Sequence, residues 1–365
     1  MEIRLLKKRD WPIIESFNKE QYRHGHILVN KEYYDWQFDN IFNTSKENYT
    51  SLGLFNKDRE LVGTVGLFLA DCNFFGKSIK CNWIANLIVK ENLRSLGYGV
   101  LLLKEAEKGF DLLVDHNVNA LAQPLFEKMG YKVGNVKRYV CILNSGAMEV
   151  LTDQKNLNFK VYENHHASNP LSLKFKVVTR CGKEFDSFWA EIKSKYPISI
   201  DRSSQYLNWR YADNPLVKYD ILTISEGDKM MGFVVLRIEE VTSGIEKKTT
   251  GIKIGRIVDM VVNKEVESQL LLKTVEFCRG KNLDLVDFFF TGNFLLSTLE
   301  EAGFASSDIQ PYSFIPTLLN PINRTKRTKN NFAFKLINQN YFNKDIGNLD
   351  NWYTTKGCGD QDRPY

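Results

Sequence analysis

The segment Arg94-Ser95-Leu96-Gly97-Tyr98-Gly99-Val100 joins the apolar run Asn86-Leu87-Ile88-Val89 to a run from Leu101 to Lys108 that is apolar on one helical face. Glycines at a strand-to-helix junction let successive backbone N–H groups turn towards one concavity. The following helix adds the positive end of its dipole and Arg94 a full charge, so the place suits a pyrophosphate. A purely steric turn would use the same glycines. Two other phosphate loops are excluded. A Walker A needs Gly-Lys followed by Ser or Thr, and a Rossmann fingerprint needs a third glycine where Leu102 stands.

Proton transfer could fall to His24 or His26 in the opening helical region, or to Asp115 and His116 at the end of a short apolar run. Imidazole titrates in the useful range, and strand ends are where catalytic groups sit in such sheets. The His-x-His pair has no further ligands for a metal, and the six cysteines form no CxxC pair, which leaves neither a zinc knuckle nor a disulfide framework. They read as reduced thiols in a cytosol. Trp36 and Trp209 each sit in an aromatic segment. They are core residues or, with Arg210 and Asp259 as the more exposed polar neighbours, a surface on which a sugar acceptor stacks.

These residues need a scaffold. Thr50 to Phe55 and Leu61 to Ala70 are β-rich runs around the polar turn Asn56-Lys57-Asp58-Arg59, which predicts a hairpin. A strand over Ile84 to Val89, a helix over Leu101 to Lys108, a strand over Leu112 to Val114 and a helix over Ala120 to Met129 follow, the last stopped by Gly130. Strands alternating with helices after an antiparallel hairpin predict a mixed α/β sheet.

The chain of 365 residues is long for one domain, and its 43% hydrophobic and 13% aromatic content can fill packed cores. No apolar run approaches the ~20 residues of a membrane span, and the start carries no apolar signal region, so a cytoplasmic protein is expected. The net charge of +5 is partly concentrated in Arg324, Lys326, Arg327 and Lys329, where no aromatic residues interleave; this reads as a solvated linker and not as a nucleic-acid patch.

The two halves echo one another. Tyr33 to Phe38 returns as Tyr206 to Tyr211, with Trp36 and Trp209 offset by 173 residues (209 − 36), and Gly130 recurs as Gly303 at the same offset. Leu61-Val62-Gly63 matches Met230-Met231-Gly232. A repeat of this length means two copies of one domain, expected over residues 1–150 and 160–320, with a basic linker and a tail packing on the domains over 321–365. The second copy has Lys264-Glu265-Val266-Glu267-Ser268-Gln269 where the first has its glycines, and two carboxylates would repel a pyrophosphate.

The order of strand, RxxGxG, helix and strand, followed by Asn119 to Tyr131, resembles the GNAT superfamily of acyl-CoA N-acyltransferases. The later segment matches the pattern NxxAxxLYxKxGF at Asn119, Ala122, Leu125, Phe126, Lys128, Gly130 and Tyr131. The resemblance implies an α/β fold of two tandem GNAT-like domains, each a mixed, mostly antiparallel sheet flanked by helices. It implies one acetyl-CoA, or another acyl-CoA, per chain, bound by Leu87, Ile88, Val89, Arg94 to Val100, Asn119 and Phe126. The reaction implied is attack of an amine on a thioester, with a backbone N–H of Leu87 to Val89 facing the oxyanion and His116, Asp115 or His26 as base. The family's tyrosine on the later helix is Phe126 here, which removes its usual acid. The segment from Asp201 to Tyr219 and the ending from Asp350 to Asp362 resemble bilobed GNAT proteins of bacterial amino-sugar and surface-polysaccharide pathways. That makes the acceptor a small amine, an amino sugar or nucleotide-linked amino sugar, held by His24, Trp36, Arg210 and Asp259, with Asp360 and Asp362 able to fold over the cleft. Two other readings stay open: aminoacyl transfer to cell-wall precursors, and binding of CoA without turnover.

Overall fold

The computed structural model describes residues 1–116, 118, 120–163, 172–325 and 330–363. Asn119, expected to touch the donor, lies outside the described residues, as do Lys326, Arg327 and Lys329.

The first half runs β1 (Glu2–Lys7), α1 (Trp11–Gln21), α2 (Lys31–Phe38), β2 (Asn48–Phe55), β3 (Leu61–Phe74), β4 (Lys77–Val89), α3 (Tyr98–Ala106), β5 (Leu112–His116), α4 (Gln123–Lys128), β6 (Lys132–Ile142) and α5 (Ser145–Thr152). The second runs β7 (Leu173–Val178), α6 (Lys183–Ile192), β8 (Ile198–Ile200), α7 (Ser204–Leu207), a π-helical turn over Asn208–Ala212, β9 (Asp220–Glu226), β10 (Lys229–Ser243), β11 (Lys248–Val262), α8 (Glu267–Gly280), β12 (Leu285–Phe290) and α9 (Leu296–Glu301). Short strands β13 (Ala305–Ser306), β14 (Leu318–Leu319) and β15 (Ile322–Asn323) lead to β16 (Asn330–Leu336) and β17 (Trp352–Tyr353).

The predicted hairpin is present as β2 and β3, and antiparallel β3–β4 continues into parallel β4–β5. The second lobe repeats this sequence of pairings as β9–β10, β10–β11 and β11–β12. In each lobe the parallel pair ends at the same relative place, Ile84 opposite Asp115 and Ile257 opposite Phe288. The matched glycines have one job, close approach of a helix: a Cβ on Gly63 would stand 3.1 Å from Leu102 Cδ1, and one on Gly232 3.0 Å from Leu270 Cδ2.

The lobes are joined by exchanged strands. After α4 the chain leaves its own lobe, and β6 pairs antiparallel with β12. β16 returns from the far end of the chain to pair with β5 on one side and β6 on the other. Among the described residues one continuous sheet results, with β5-β16-β6-β12 at its centre. Residues 330–336, expected within a linker and tail, are thus a central strand, and Phe332 and Ala333 are fully buried.

Helices α3 and α4 cover one face of the first lobe, Leu102, Leu103, Ala106 and Phe126 packing on Leu54, Val65 and Leu113. Helices α1 and α2 cover the other, with Ile14, Phe17, Tyr34 and Phe38 against Leu6 and Ala85. At the lobe junction Trp36 Nε1 donates to the Trp209 carbonyl at 2.9 Å and Trp209 Nε1 to that of Trp36 at 3.0 Å, the rings stacked at 5.5 Å. Beneath, Arg138 of β6 and Arg256 of β11 both bind the fully buried Asp287 of β12, at 2.9 and 3.1 Å.

Candidate active site

Beyond Ile84 and Asp115, β4 and β5 part. The cause lies in β4: its register with β3 jumps from Ala85 opposite Gly66 to Ile88 opposite Thr64, and Asn86 takes φ 54°. This is a β-bulge, which bends one strand away from its neighbour. Leu87 and Ile88, beyond the last β4–β5 pair, are left half-buried. A wedge between diverging strands at their carboxyl ends accepts an extended ligand.

From Val89 the chain enters a 3₁₀ turn, Glu91–Leu96, fastened at its start by Lys90, which pairs with Glu60 and, at 3.3 Å, with Glu20 of α1. Arg94 Nε donates to the Val89 carbonyl at 3.2 Å, while the residue stays exposed. Ser95 and Leu96 are also exposed. Gly97 has φ 77°, a left-handed conformation that favours glycine, and a Cβ there would meet nothing within 4 Å. The residue is required by the backbone and faces open space. Helix α3 begins at Tyr98 with no side-chain cap, so the donors of its first turn, at Tyr98, Gly99 and Val100, are aimed past Gly97. This geometry fits a pyrophosphate. In the second lobe residues 263–266 replace this loop, half as long, with Glu265 and Glu267 at the helix start.

The candidate bases separate. Asp115 is half-buried at the rim of the wedge; burial raises its carboxyl well above the usual range, the charge of Asp360 adds to this, and Arg363 opposes it. That is the direction a general base at neutral pH requires. His116 points to the opposite face, edge-on to Trp83 at 5.0 Å and near Phe332 at 5.9 Å. Burial pushes it down to about 3, against the effect of Gln361 and with help from Lys356, so it stays neutral and a poor base. His26 is likewise lowered to about 4 by burial, then by Arg363 and Arg23, and its Nδ1 accepts from Leu28 N–H at 3.3 Å while the ring stacks on Tyr22. It shapes the segment between α1 and α2. His24 is exposed.

Four expectations need correction. Arg210 and Asp259, expected to be exposed, are each 1% exposed. Arg210 Nε donates to the Gly357 carbonyl at 3.0 Å, and Arg202 clamps Asp259 with Nε and Nη2, both 3.0 Å from a carboxylate oxygen. Trp36 is committed to Trp209. Phe126, expected against the donor, is 1% exposed and meets Tyr131 edge-on at 5.0 Å inside the α3–α4 core.

The ending explains the burial. Where β11 and β12 part, the wedge is filled by the chain itself: Gly357 N–H donates to the Val258 carbonyl at 2.8 Å, Thr291 N–H to that of Thr354 at 3.1 Å, and Tyr353 to that of Met260. The segment then crosses to the first lobe. Asp362 is bound by Arg237 and Tyr219, each at 2.8 Å; burial alone would raise its carboxyl, but Arg237, Lys356 and Arg210 hold it below the usual range. It is unavailable to an acceptor. Asp360 and Arg363 pair at 3.1 Å, and Arg363 reaches Asn86, the bulge residue, at 2.6 Å. Sequence reasoning missed Asn86, Gln361 and Arg363. Only the wedge, which depends on the bulge and the tail's path, gives them meaning.

Residues 9–131 match the model of the Acetyltransferase (GNAT) family, the segment that holds the wedge, the loop and α4. The fold is that of the GNAT acyltransferases. Among solved structures it is similar to Saccharomyces cerevisiae N-myristoyltransferase with bound myristoyl-CoA, at 12% identity, 97% of this chain and 88% of that one covered, TM-score 0.55. A GCN5-related N-acetyltransferase from Anabaena variabilis gives 15% identity, coverage of 92% and 73%, and TM-score 0.57. A probable N-acyltransferase from Enterococcus faecalis gives 12% identity, coverage of 92% and 72%, and TM-score 0.57. No curated protein matches the sequence. Among the described residues no helix is long and apolar enough to cross a membrane, and no cluster of His, Cys, Asp and Glu could hold a metal ion.

Proposed function

We propose that the chain is an acyl-CoA-dependent N-acyltransferase built of two GNAT-like units that exchange strands, with the donor in the first unit and a small amine, an amino sugar, as acceptor. The observation that carries it is the coincidence, in the lobe that matches the family, of the wedge beyond Ile84 and Asp115 with the uncapped start of α3 at Gly97. The first-turn N–H groups of α3 and Arg94 would hold the pyrophosphate, and the backbone of Leu87 and Ile88 the extended arm. The bound donor supplies an activated thioester.

Asp115 takes the proton from the attacking amine as the C–N bond forms and the C–S bond breaks; its raised affinity for a proton suits that step. A backbone N–H beside the bulge faces the developing oxyanion. With Phe126 buried, no residue of α4 protonates the leaving sulfur, and a thiol of pKa roughly 8.5 leaves as thiolate and takes its proton from solvent. Incubation with acetyl-CoA and a panel of amino sugars, followed by thiol release, tests the reading. Turnover with at least one amine is expected. Stabilisation by CoA without release from any amine would contradict the transferase, and no stabilisation would contradict the donor site.

A further inference from the structure

Where β4 and β5 are last paired, on the sheet face turned away from α3 and α4, polar atoms lie buried without partners among the described residues: both ring nitrogens of His116, Nε1 of Trp83, Oε1 of Gln361 and, just beyond, Nδ2 of Asn86. His116, Trp83 and Gln361 are 5%, 2% and 8% exposed. They are neighbours. Trp83 and His116 are in ring contact, Gln361 lies beside His116, and Asn86 is held by Arg363, two residues past Gln361. An unsatisfied buried polar group is costly, and several together mark a place where something else completes the bonds.

The chemistry of the set narrows the occupant. Trp83 Nε1 and Asn86 Nδ2 donate, Gln361 Oε1 accepts, and a neutral imidazole does one of each. A carboxylate would leave the acceptors unpaired and an ammonium the donors, whereas a hydroxyl both donates and accepts. Next to Gln361 in the chain, Asp360 pairs with Arg363, the residue that holds Asn86, and the charges of both are felt by Asp115. Gln361 arrives on the C-terminal segment, which is seated in the second lobe's wedge, so both lobes build the place.

We propose that Trp83, His116 and Gln361 form a hydroxyl-binding subsite of the acceptor cleft, so that the acceptor is an amine carrying several hydroxyl groups. This rests on the transferase reading above. The test uses the full-length protein and acetyl-CoA with two probe amines, glucosamine and cyclohexylamine, which differ in hydroxyls. The wild type should favour glucosamine at least tenfold in kcat/KM, because a site built for hydrogen bonds rejects an analogue that lacks them. Gln361→Met should raise KM for glucosamine about tenfold more than KM for cyclohexylamine, with KM for acetyl-CoA as the donor control. Trp83→Phe, which removes only the indole donor from the set, should shift the same ratio in the same direction if Gln361→Met unfolds the tail. Equal effects on both amines, or no preference in the wild type, would overturn the proposal and leave water as the occupant. CoA binding without turnover of either amine would overturn it too while sparing the donor site, and loss of CoA binding itself would fall on the transferase reading.

Discussion

Asp115 combines two properties that pull in opposite directions. Its burial beside Asp360 raises the carboxyl, so the folded state binds a proton more tightly than the unfolded chain does, and stability falls as pH rises from the ordinary carboxylate range through the raised value. Asp115→Asn should therefore raise Tm at pH 7 while lowering kcat at least ~100-fold, the size expected for a general base. Thermal melts beside steady-state rates check this, and a variant of unchanged rate would remove Asp115 from the mechanism. The wild-type rate should climb with pH above the usual carboxylate range. The position of Asp115 at the end of a strand was legible in the sequence because it follows an apolar run that reads as one. Arg210 and Asp259 were misjudged because polar residues read as exposed unless a partner is known. Arg210's partner lies 147 residues away, in the tail.

The elements around the loop make separate predictions. Gly97→Glu has open space for its side chain but must hold φ 77°, a cost of roughly 1 kcal/mol. It should leave the protein folded and abolish the stabilisation given by CoA. Ser268→Glu, at the corresponding helix start of the second lobe, faces Glu301 and should lower Tm somewhat but leave the stabilisation given by CoA unchanged; Val266 cannot serve as this control because it is fully buried. In the tail, Lys356 is driven down to about 7 by burial, then Arg256, against Asp287, Asp362 and Glu239. An unfolded lysine titrates at about 10.4, so stability should rise with pH between the two values. Lys356→Met should raise Tm at pH 7 and flatten that rise; melts of both proteins from pH 7 to 10 decide it. The hairpin and the α3 and α4 helices could be read from periodicity, and the glycine loop from its residue types at a strand-to-helix junction. The bulge at Asn86 could not, since a single inserted residue leaves no mark on an apolar run.

At the scale of the molecule, the exchange of β6 and β16 makes each lobe depend on the other. A fragment of residues 1–150 would leave β5 with an open edge and lack Phe332 and Ala333 from its core. We expect it not to unfold cooperatively in denaturant, while the full chain does so in one transition; a stable, cooperative fragment would contradict the exchanged architecture. Breaking the central pair by Arg138→Met leaves Asp287 short of one guanidinium and should cost about 3–5 kcal/mol in the same experiment. The echo of Trp36 in Trp209 and of Gly130 in Gly303 could be seen in the sequence, but which half each final strand joins is a matter of tertiary pairing. The same holds for the second wedge. Its carboxylates already argued against a donor, and the structure adds that the chain's own Thr354 to Gly357 occupy it. One loop and one wedge left open by the tail imply one donor site per chain. Calorimetric titration of the full-length protein with acetyl-CoA should give a stoichiometry of one, lost in Gly97→Glu. Two sites per chain, or one site that survives Gly97→Glu, would contradict it.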